Sequence, residues 1–137
     1  LLFPESAGFT KDDNLFTYQA KIIRQLAEEG SCVLIGRCAD HVLKEMPGLV
    51  RVFVHAPADF CLRKAMKVNS QPENEVVKLI AKTDTTDCYY KYYTGKEWKD
   101  ALYDLSLDSS RLGFDGTVEA ILAYIEVRKK FDPQMQD

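Results

Sequence analysis

The first part of the chain carries apolar residues at helical spacing. The pattern predicts a helix that begins after the capping residues 12–14 and stops at Gly30. Its apolar stripe consists of Leu15, Tyr18, Ile22, Ile23 and Leu26. A stripe of this kind is typical of an amphipathic helix, which turns one face toward the rest of the molecule.

Three short apolar runs further along the chain predict β-strands. They are Cys32 to Ile35, which suits a buried parallel strand, Val50 to Val54 and Tyr103 to Leu107. Helices are predicted at Asp40 to Lys44, Pro57 to Lys67, Glu73 to Thr83 and Thr117 to Lys129. This alternation predicts one α/β domain over residues 1–137, with a parallel sheet and right-handed crossovers.

Composition and charge narrow the class of protein. Of the 137 residues, 46% are hydrophobic, which is enough for a core. A net charge of −3 argues against a general binder of nucleic acid polymers or anionic membranes. No apolar stretch approaches the roughly 20 residues of a membrane helix, and residues 1–10 lack a secretory signal. The four cysteines have no CxxC spacing and only two histidines are present, so we predict a cytoplasmic protein with free thiols and no zinc or other protein-held metal cluster.

Residues with candidate chemistry follow the first predicted strand. Gly36 allows the backbone to come close to a ligand, Arg37 offers a planar fork of donors for a phosphate, and Asp40 can accept hydrogen bonds from a base. Because ligands of open parallel sheets bind at the carboxyl ends of strands, these residues predict a nucleotide pocket. The alternative is structural: the arginine caps a helix or pairs with a surface carboxylate.

A second candidate cluster lies on the helix after the second predicted strand. Arg63 and Lys67 are four residues apart and share a helix face, and Lys64 lies beside them. Such a basic face can point at phosphates and stabilise charge during their transfer. The alternative is a solvated face, which is the more common outcome for basic residues on a helix.

A tyrosine-rich run forms the third candidate. Tyrosines occupy positions 89, 90, 92 and 93, after Asp84 and the helix-breaking residues Ser70 to Pro72. The tyrosines can stack on a base, and we expect the segment 70–99 to be a mobile lid or arm. The alternative is a packing arm or an oligomer contact that makes a homodimer.

Other polar residues are interpreted as structural. His41 and His55 have no partners in a catalytic motif. The segment Tyr103 to Ser110 alternates polar and apolar residues and then supplies capping residues, which predicts a core strand followed by a capping turn.

Four segments together resemble the cytidylate kinase-like family of bacterial nucleoside monophosphate kinases. They are GSCVLIGRCAD (Gly30 to Asp40), RVFVHAP (Arg51 to Pro57), YYKYYTGKEW (Tyr89 to Trp98) and YDLSLDSSRLG (Tyr103 to Gly113). Their order and spacing match from about Asn14 to Ile125. The tyrosine-rich run followed by YDLSLDSS is the most specific part of the resemblance.

The resemblance implies a fold, an activity and a set of residues. The fold is a three-layer P-loop kinase-like parallel sheet flanked by helices, with a helical lid. The activity is transfer of the γ-phosphate of ATP, with Mg²⁺, to CMP, dCMP or a related monophosphate. The residues that the resemblance implies are Gly36, Arg37, Asp40 and Asp84 for substrate binding, and Arg63 and Lys64 for catalysis.

Two departures from the family pattern bear on activity. The sequence contains no GxxxxGK[ST] phosphate loop, so the N-terminal strand, loop and helix that carry it in the family are absent from these residues. Because Leu1 is not an initiator methionine, we expect these residues to be part of a longer protein. Thr85 to Cys88 stands where the family usually has an arginine. Two further hypotheses stay open: a nucleotide-binding or regulatory module without catalytic activity, and an interaction domain.

Overall fold

The contacts of the chain group it into two compact units, residues 1–46 and 47–137. The structure is a computed structural model, and it describes residues 11–70, 72–83, 91–95 and 103–136. Each unit has its own helices, and among the described residues only the second unit contains a β-sheet. The single domain over residues 1–137 stays a prediction.

In the first unit, a long helix contacts a short one. Helix α1 spans Lys11–Glu29 and helix α2 spans Ala39–Val42, so both predicted helices are confirmed. Residues 12–14, which were predicted to cap α1, lie inside it instead, and α2 ends two residues before the predicted Lys44. Within α1, the buried residues that the structure describes are Ala20 and Ile23. The other four stripe residues, Leu15, Tyr18, Ile22 and Leu26, are exposed. Helix α1 therefore buries a narrower face than its apolar pattern indicates, centred on two residues that lie three apart.

The predicted buried strand at Cys32 to Ile35 is wrong for this structure. These residues form no strand, and the side chains of Val33 and Ile35 are each 91% exposed. A strand exists only where its backbone N–H and C=O groups pair with a neighbouring strand. Within the described ranges no strand pairs with this segment. Its apolar composition alone therefore neither forms a strand nor buries it.

The second unit contains two parallel strands. Strand β1 spans Val52–His55 and strand β2 spans Leu105–Asp108, with each residue of β1 opposite one residue of β2 from first to last. The predicted parallel pairing is confirmed, but both strands begin two residues later than predicted. The carbonyl of Arg51 accepts hydrogen bonds from two successive amides, those of Asp104 at 2.9 Å and Leu105 at 3.2 Å. The regular hydrogen-bond pairing between the two strands therefore begins only after Arg51 and Asp104.

Three helices accompany the sheet. Helix α3 spans Ala58–Asn69, helix α4 spans Glu73–Thr83 and helix α5 spans Ser109–Phe131. Helix α3 contacts α4, in which Val76 is fully buried, and α5 contacts both strands. A short helical turn at 91–94 and a 3-10 turn at Pro133–Met135 complete the described elements.

Helix α5 begins earlier than its apolar pattern predicts. The sequence places its start at Thr117, whereas the helix begins directly after β2. Asp108 caps it, and Gly113 interrupts its helical geometry with a φ of 66°. The first turns therefore form at the cap, and the kink separates them from the longer apolar-patterned part of the helix.

Charged residues join the sheet and α5 at the amino-terminal ends of the strands. Asp104 accepts from the Arg51 backbone N–H at 2.7 Å and forms an ion pair with its guanidinium at 3.2 Å. Arg128 pairs with Asp104 at 3.6 Å, donates to the carbonyl of Leu49 at 2.8 Å and forms an ion pair with Asp132. We refer to these residues as the arginine–aspartate network. It connects segments that lie 53 and 79 residues apart in sequence.

The described residues thus form a mostly helical α/β structure with a small two-stranded parallel sheet. The three-layer sheet expected from the resemblance is larger than the sheet found in these residues. None of the helices that the structure describes is long and apolar enough to cross a membrane.

Candidate functional site

The candidate ligand loop folds as a left-handed turn. Gly36, Arg37 and Cys38 have successive φ values of 68°, 57° and 56°. Left-handed backbone costs roughly 1–2 kcal/mol for a residue with a Cβ atom, whereas glycine adopts it readily. Two successive non-glycine residues in this conformation mark a strained segment, and such strain concentrates at functional sites.

Hydrogen bonds tie this left-handed turn to α2. The amide of Ala39 donates to the carbonyl of Gly36 at 3.1 Å. The amides of His41 and Val42 both donate to the carbonyl of Cys38, at 3.0 and 2.9 Å. The side chain of Cys38 is buried. The turn and α2 therefore form one hydrogen-bonded piece, and Cys38 is its buried member.

Burial changes the chemistry of the Cys38 thiol. Its pKa is raised to about 11, chiefly because burial disfavours the thiolate and then because Asp40 is negatively charged nearby. Arg37 opposes this shift. Since the thiolate is the reactive form of cysteine, the protonated Cys38 is a packing residue at neutral pH and not a nucleophile.

Arg37 and Asp40 differ in how far they are exposed. Arg37 is exposed, and it forms no salt bridge with a carboxylate in the part of the chain that the structure describes. Asp40 lies in the first turn of α2 and is partly buried. The structural alternative, in which Arg37 pairs with a surface carboxylate, is therefore not observed among these residues. No carboxylate in the described part of the chain therefore competes with a phosphate for the Arg37 guanidinium.

The basic cluster on α3 has a different environment. Arg63 donates to the carboxylate of Asp59 at 2.7 Å, on an exposed helix surface. This hydrogen bond lowers the pKa of Asp59 below its ordinary value. The ammonium group of Lys64 lies 5.7 Å from the centre of the Phe60 ring. A phosphate that reaches Arg63 has to compete with Asp59, and the solvated-face alternative agrees with this geometry. Arg63 and Lys64 belong to the second unit, whereas Arg37 belongs to the first.

Part of the third candidate cluster lies outside the described residues. Asp84 and the tyrosines at positions 89 and 90 belong to this part, which the structure does not describe, so the role of Asp84 stays a prediction. Tyr92 and Tyr93 lie in the short helical turn at 91–94, with ring centres 4.8 Å apart in an edge-to-face arrangement. The lid over 70–99 likewise stays a prediction.

The carboxyl edge of the sheet is occupied by a helix cap. Asp108 accepts from the backbone N–H of Ser110 at 2.9 Å and from its hydroxyl at 2.6 Å, and these bonds lower the pKa of Asp108. The hydroxyl of Ser109 donates to the carbonyl of His55 at 3.1 Å. The predicted capping turn is confirmed. The position of His55 opposite Asp108 was missed, because only the strand register brings them together.

Comparison with known proteins identifies the family. The model of the cytidylate kinase-like family matches residues 3–111, which is more than half of the chain, and the chain belongs to this family. Membership indicates kinase-like nucleotide binding. An uncharacterized protein from Eubacterium ventriosum ATCC 27560 has a similar structure, with a TM-score of 0.79 and 26% sequence identity. The match covers 86% of this chain and 76% of that chain. No curated protein matches the chain significantly.

Proposed function

We propose that the protein is a nucleoside monophosphate kinase whose acceptor, CMP or dCMP, binds at Gly36, Arg37 and Asp40. Arg37 binds the α-phosphate of the acceptor through charge-assisted hydrogen bonds. Asp40 orients the base or sugar, because a direct contact between a carboxylate and a phosphate is repulsive. Gly36 lets the backbone approach the ligand closely.

One observation carries this proposal. Arg37 is an exposed arginine in a strained turn, and no described carboxylate neutralises it. A guanidinium that pairs with no described carboxylate and is carried by a strained backbone fits anion recognition better than a purely structural role. The membership of the chain in the cytidylate kinase-like family makes a nucleotide phosphate the natural anion.

ATP and Mg²⁺ are the phosphate donor and cofactor that this proposal requires. The sequence contains no glycine-rich phosphate loop, and the described residues bring together no three His, Cys, Asp or Glu side chains that could hold a metal ion. Because the sequence contains no phosphate loop to hold the phosphates of ATP, we assign only the acceptor side of the reaction to this chain.

Arg63, Lys64 and Asp84 have supporting roles in the proposal. Arg63 and Lys64 stabilise negative charge on the phosphates, which for Arg63 requires release from Asp59. By family resemblance, Asp84 is proposed to have a substrate-binding role, and the segment 70–99 is proposed to act as a lid that excludes water. The protein acts on a small molecule in the cytoplasm, and its tyrosine run offers a contact for a homodimer.

The lack of a phosphate loop favours a second candidate function. In this alternative, the chain is a nucleotide-binding or regulatory module that keeps the acceptor pocket without catalysis. The two functions share CMP binding and differ in ATP consumption. The full reading frame also separates them, since a phosphate loop encoded before Leu1 favours the kinase.

Calorimetric titration with CMP tests the proposed acceptor site. Arg37→Ala removes a charge-assisted interaction of roughly 1.5–3 kcal/mol, so we expect CMP binding to weaken about 10- to 150-fold. Arg24→Ala is the matched control, because it removes the same charge from an exposed position of α1. It should leave the affinity within about twofold.

Two results would count against the proposal. Equal CMP affinity in Arg37→Ala and the unmodified chain would remove Arg37 from the site. Rapid ATP consumption by these 137 residues with CMP would show that the chain holds ATP without a phosphate loop. It would overturn our assignment of only the acceptor side of the reaction to this chain.

A further inference from the structure

We infer that the left-handed turn of Gly36, Arg37 and Cys38 is a positioning element that holds the Arg37 guanidinium ready for a phosphate before any ligand arrives. This inference rests on the proposed function. It adds Cys38 as a residue that acts through Arg37 without recognising the phosphate, and it gives Gly36 a second role beside the close approach to the ligand.

The first step of the argument concerns backbone strain. The φ values of Arg37 and Cys38, 57° and 56°, lie where side chains with a Cβ atom are disfavoured. Two residues in this disfavoured conformation persist in a short loop only where contacts with the surrounding structure stabilise them. The turn is therefore set by its anchors rather than by the preferences of its own residues.

The second step identifies those anchors. The carbonyls of Gly36 and Cys38 together accept three amide hydrogen bonds from the residues of α2, at 2.9 to 3.1 Å. The Cys38 side chain is 4% exposed, so rotation of this residue out of the turn would bring a buried group into water. These contacts oppose relaxation of the turn.

The third step concerns the contrast between neighbouring side chains. Cys38 is buried and Arg37, the residue before it, is exposed. A turn fixed by a buried residue presents its neighbour to solvent in one backbone conformation. A ligand then meets an arginine whose backbone is already ordered, which reduces the entropy lost on binding.

Glycine substitutions provide a test of the backbone alone. A Cβ atom added at Gly36 or at Gly48 meets no other atom within 4 Å, and both residues have positive φ, 68° and 75°. Gly36→Ala and Gly48→Ala therefore introduce the same kind of strain, one in the turn and one in the second unit. Gly36→Asn has a bulkier side chain than alanine but tolerates the left-handed region better.

The experiment combines CMP titration with NMR of the free chain. In the unmodified chain, the backbone chemical shifts of Arg37 and Cys38 should report positive φ without ligand. We expect Gly36→Ala to lose these shifts and to weaken CMP binding about 5- to 10-fold. Gly48→Ala should lower the urea midpoint of unfolding by about as much as Gly36→Ala does. It should leave CMP affinity within about twofold of the unmodified chain. Gly36→Asn should bind CMP more tightly than Gly36→Ala does.

Each remaining outcome overturns a specific statement. If the free chain lacks positive φ at residues 37 and 38, or if Gly36→Ala and Gly48→Ala bind CMP equally well, the turn does not position Arg37. If Gly36→Asn binds more weakly than Gly36→Ala, side-chain bulk near the ligand is the cause and the strain argument is wrong. If neither the unmodified chain nor Arg37→Ala binds CMP, the proposed function fails as well. The inference alone fails when Arg37→Ala weakens binding and Gly36→Ala does not.

Discussion

Two apolar segments of similar composition reach opposite outcomes in this protein. Residues 32–35 read Cys-Val-Leu-Ile and form no strand, with Val33 and Ile35 exposed. Strand β1 reads Val-Phe-Val-His and pairs with β2 over its whole length. β-branched and aromatic residues favour both segments as strands to a similar degree. The difference therefore lies in what surrounds each segment.

The environment of β1 contains contacts that residues 32–35 lack among the described residues. The arginine–aspartate network joins the amino-terminal ends of β1 and β2, and the Asp108 cap closes their carboxyl edge. Residues 32–35 instead lead directly into the left-handed turn. Pairing and side-chain anchors decide which apolar run becomes a strand, and composition only permits it.

Among substitutions that test the contrast between β1 and residues 32–35, Arg128→Ala should have the largest effect on stability. The Arg128 side chain is 16% exposed and contacts Asp104, Asp132 and the carbonyl of Leu49. Arg128→Ala leaves the partly buried Asp132 without its arginine partner and Asp104 with Arg51 alone, and we expect it to lower the free energy of unfolding by about 2 kcal/mol. Urea unfolding monitored by circular dichroism measures this change.

Arg111→Ala is the matched control for that experiment. Arg111 is highly exposed and lies 3.9 Å from Asp108, so its removal should change the free energy of unfolding by less than about 0.5 kcal/mol. Equal destabilisation by the two substitutions would show that the network does not anchor the sheet.

A smaller effect should appear at the opposite edge of the sheet. The pKa of Asp108 is lowered by its bonds to Ser110, so its cap stabilises the fold above the ordinary aspartate pKa and is lost as pH falls below about 4. Asp108→Asn keeps an N-cap acceptor but cannot titrate. Thermal unfolding between pH 3 and 7 should show nearly unchanged stability at neutral pH and a shallower loss in acid.

Asp115→Asn serves as the control for the pH series, because Asp115 is an exposed residue of the same helix. It should reproduce the acid profile of the unmodified chain. An unchanged profile in Asp108→Asn would mean that the cap does not contribute to the acid sensitivity of the fold.

The smallest effect on the free energy of unfolding should be found in residues 32–35. Because Ile35 is 91% exposed, Ile35→Thr should change the free energy of unfolding by less than about 0.5 kcal/mol. Leu107→Thr places the same residue at a partly buried position of β2, where a cost above about 1 kcal/mol is expected. A large loss in Ile35→Thr would show that this segment is buried in solution, and the contrast with β1 would not hold.

Local patterns predict the helices of this protein better than its strands. Apolar spacing places α1 and α4 close to their observed ends, although the predicted capping residues of α1 lie inside that helix. Asp108 as a cap follows from its position before two serines. Whether residues 32–35 pair depends on a neighbouring strand, which no local pattern contains. The register that brings His55 opposite Asp108 is equally remote from local spacing.

The candidate site also contains some features that local sequence patterns predict and others that they do not. A glycine and an arginine after an apolar run were enough to single out Arg37, and the family match supports nucleotide binding. The ion pair between Arg63 and Asp59 follows the familiar four-residue spacing of a helix and was overlooked. The left-handed geometry of Arg37 and Cys38 was not predictable, because neither residue type favours it and the anchors lie in α2.

The protonated thiol of Cys38 has a consequence for the chemical durability of the turn. Peroxides and alkylating agents attack thiolates, so a buried cysteine with a pKa of about 11 reacts slowly with them. Cys32 and Cys61 are exposed and offer these reagents easier targets. Among the three cysteines that the structure describes, oxidative damage and covalent labels should therefore collect at Cys32 and Cys61 first, while the sulfur atom of Cys38 survives in its reduced form.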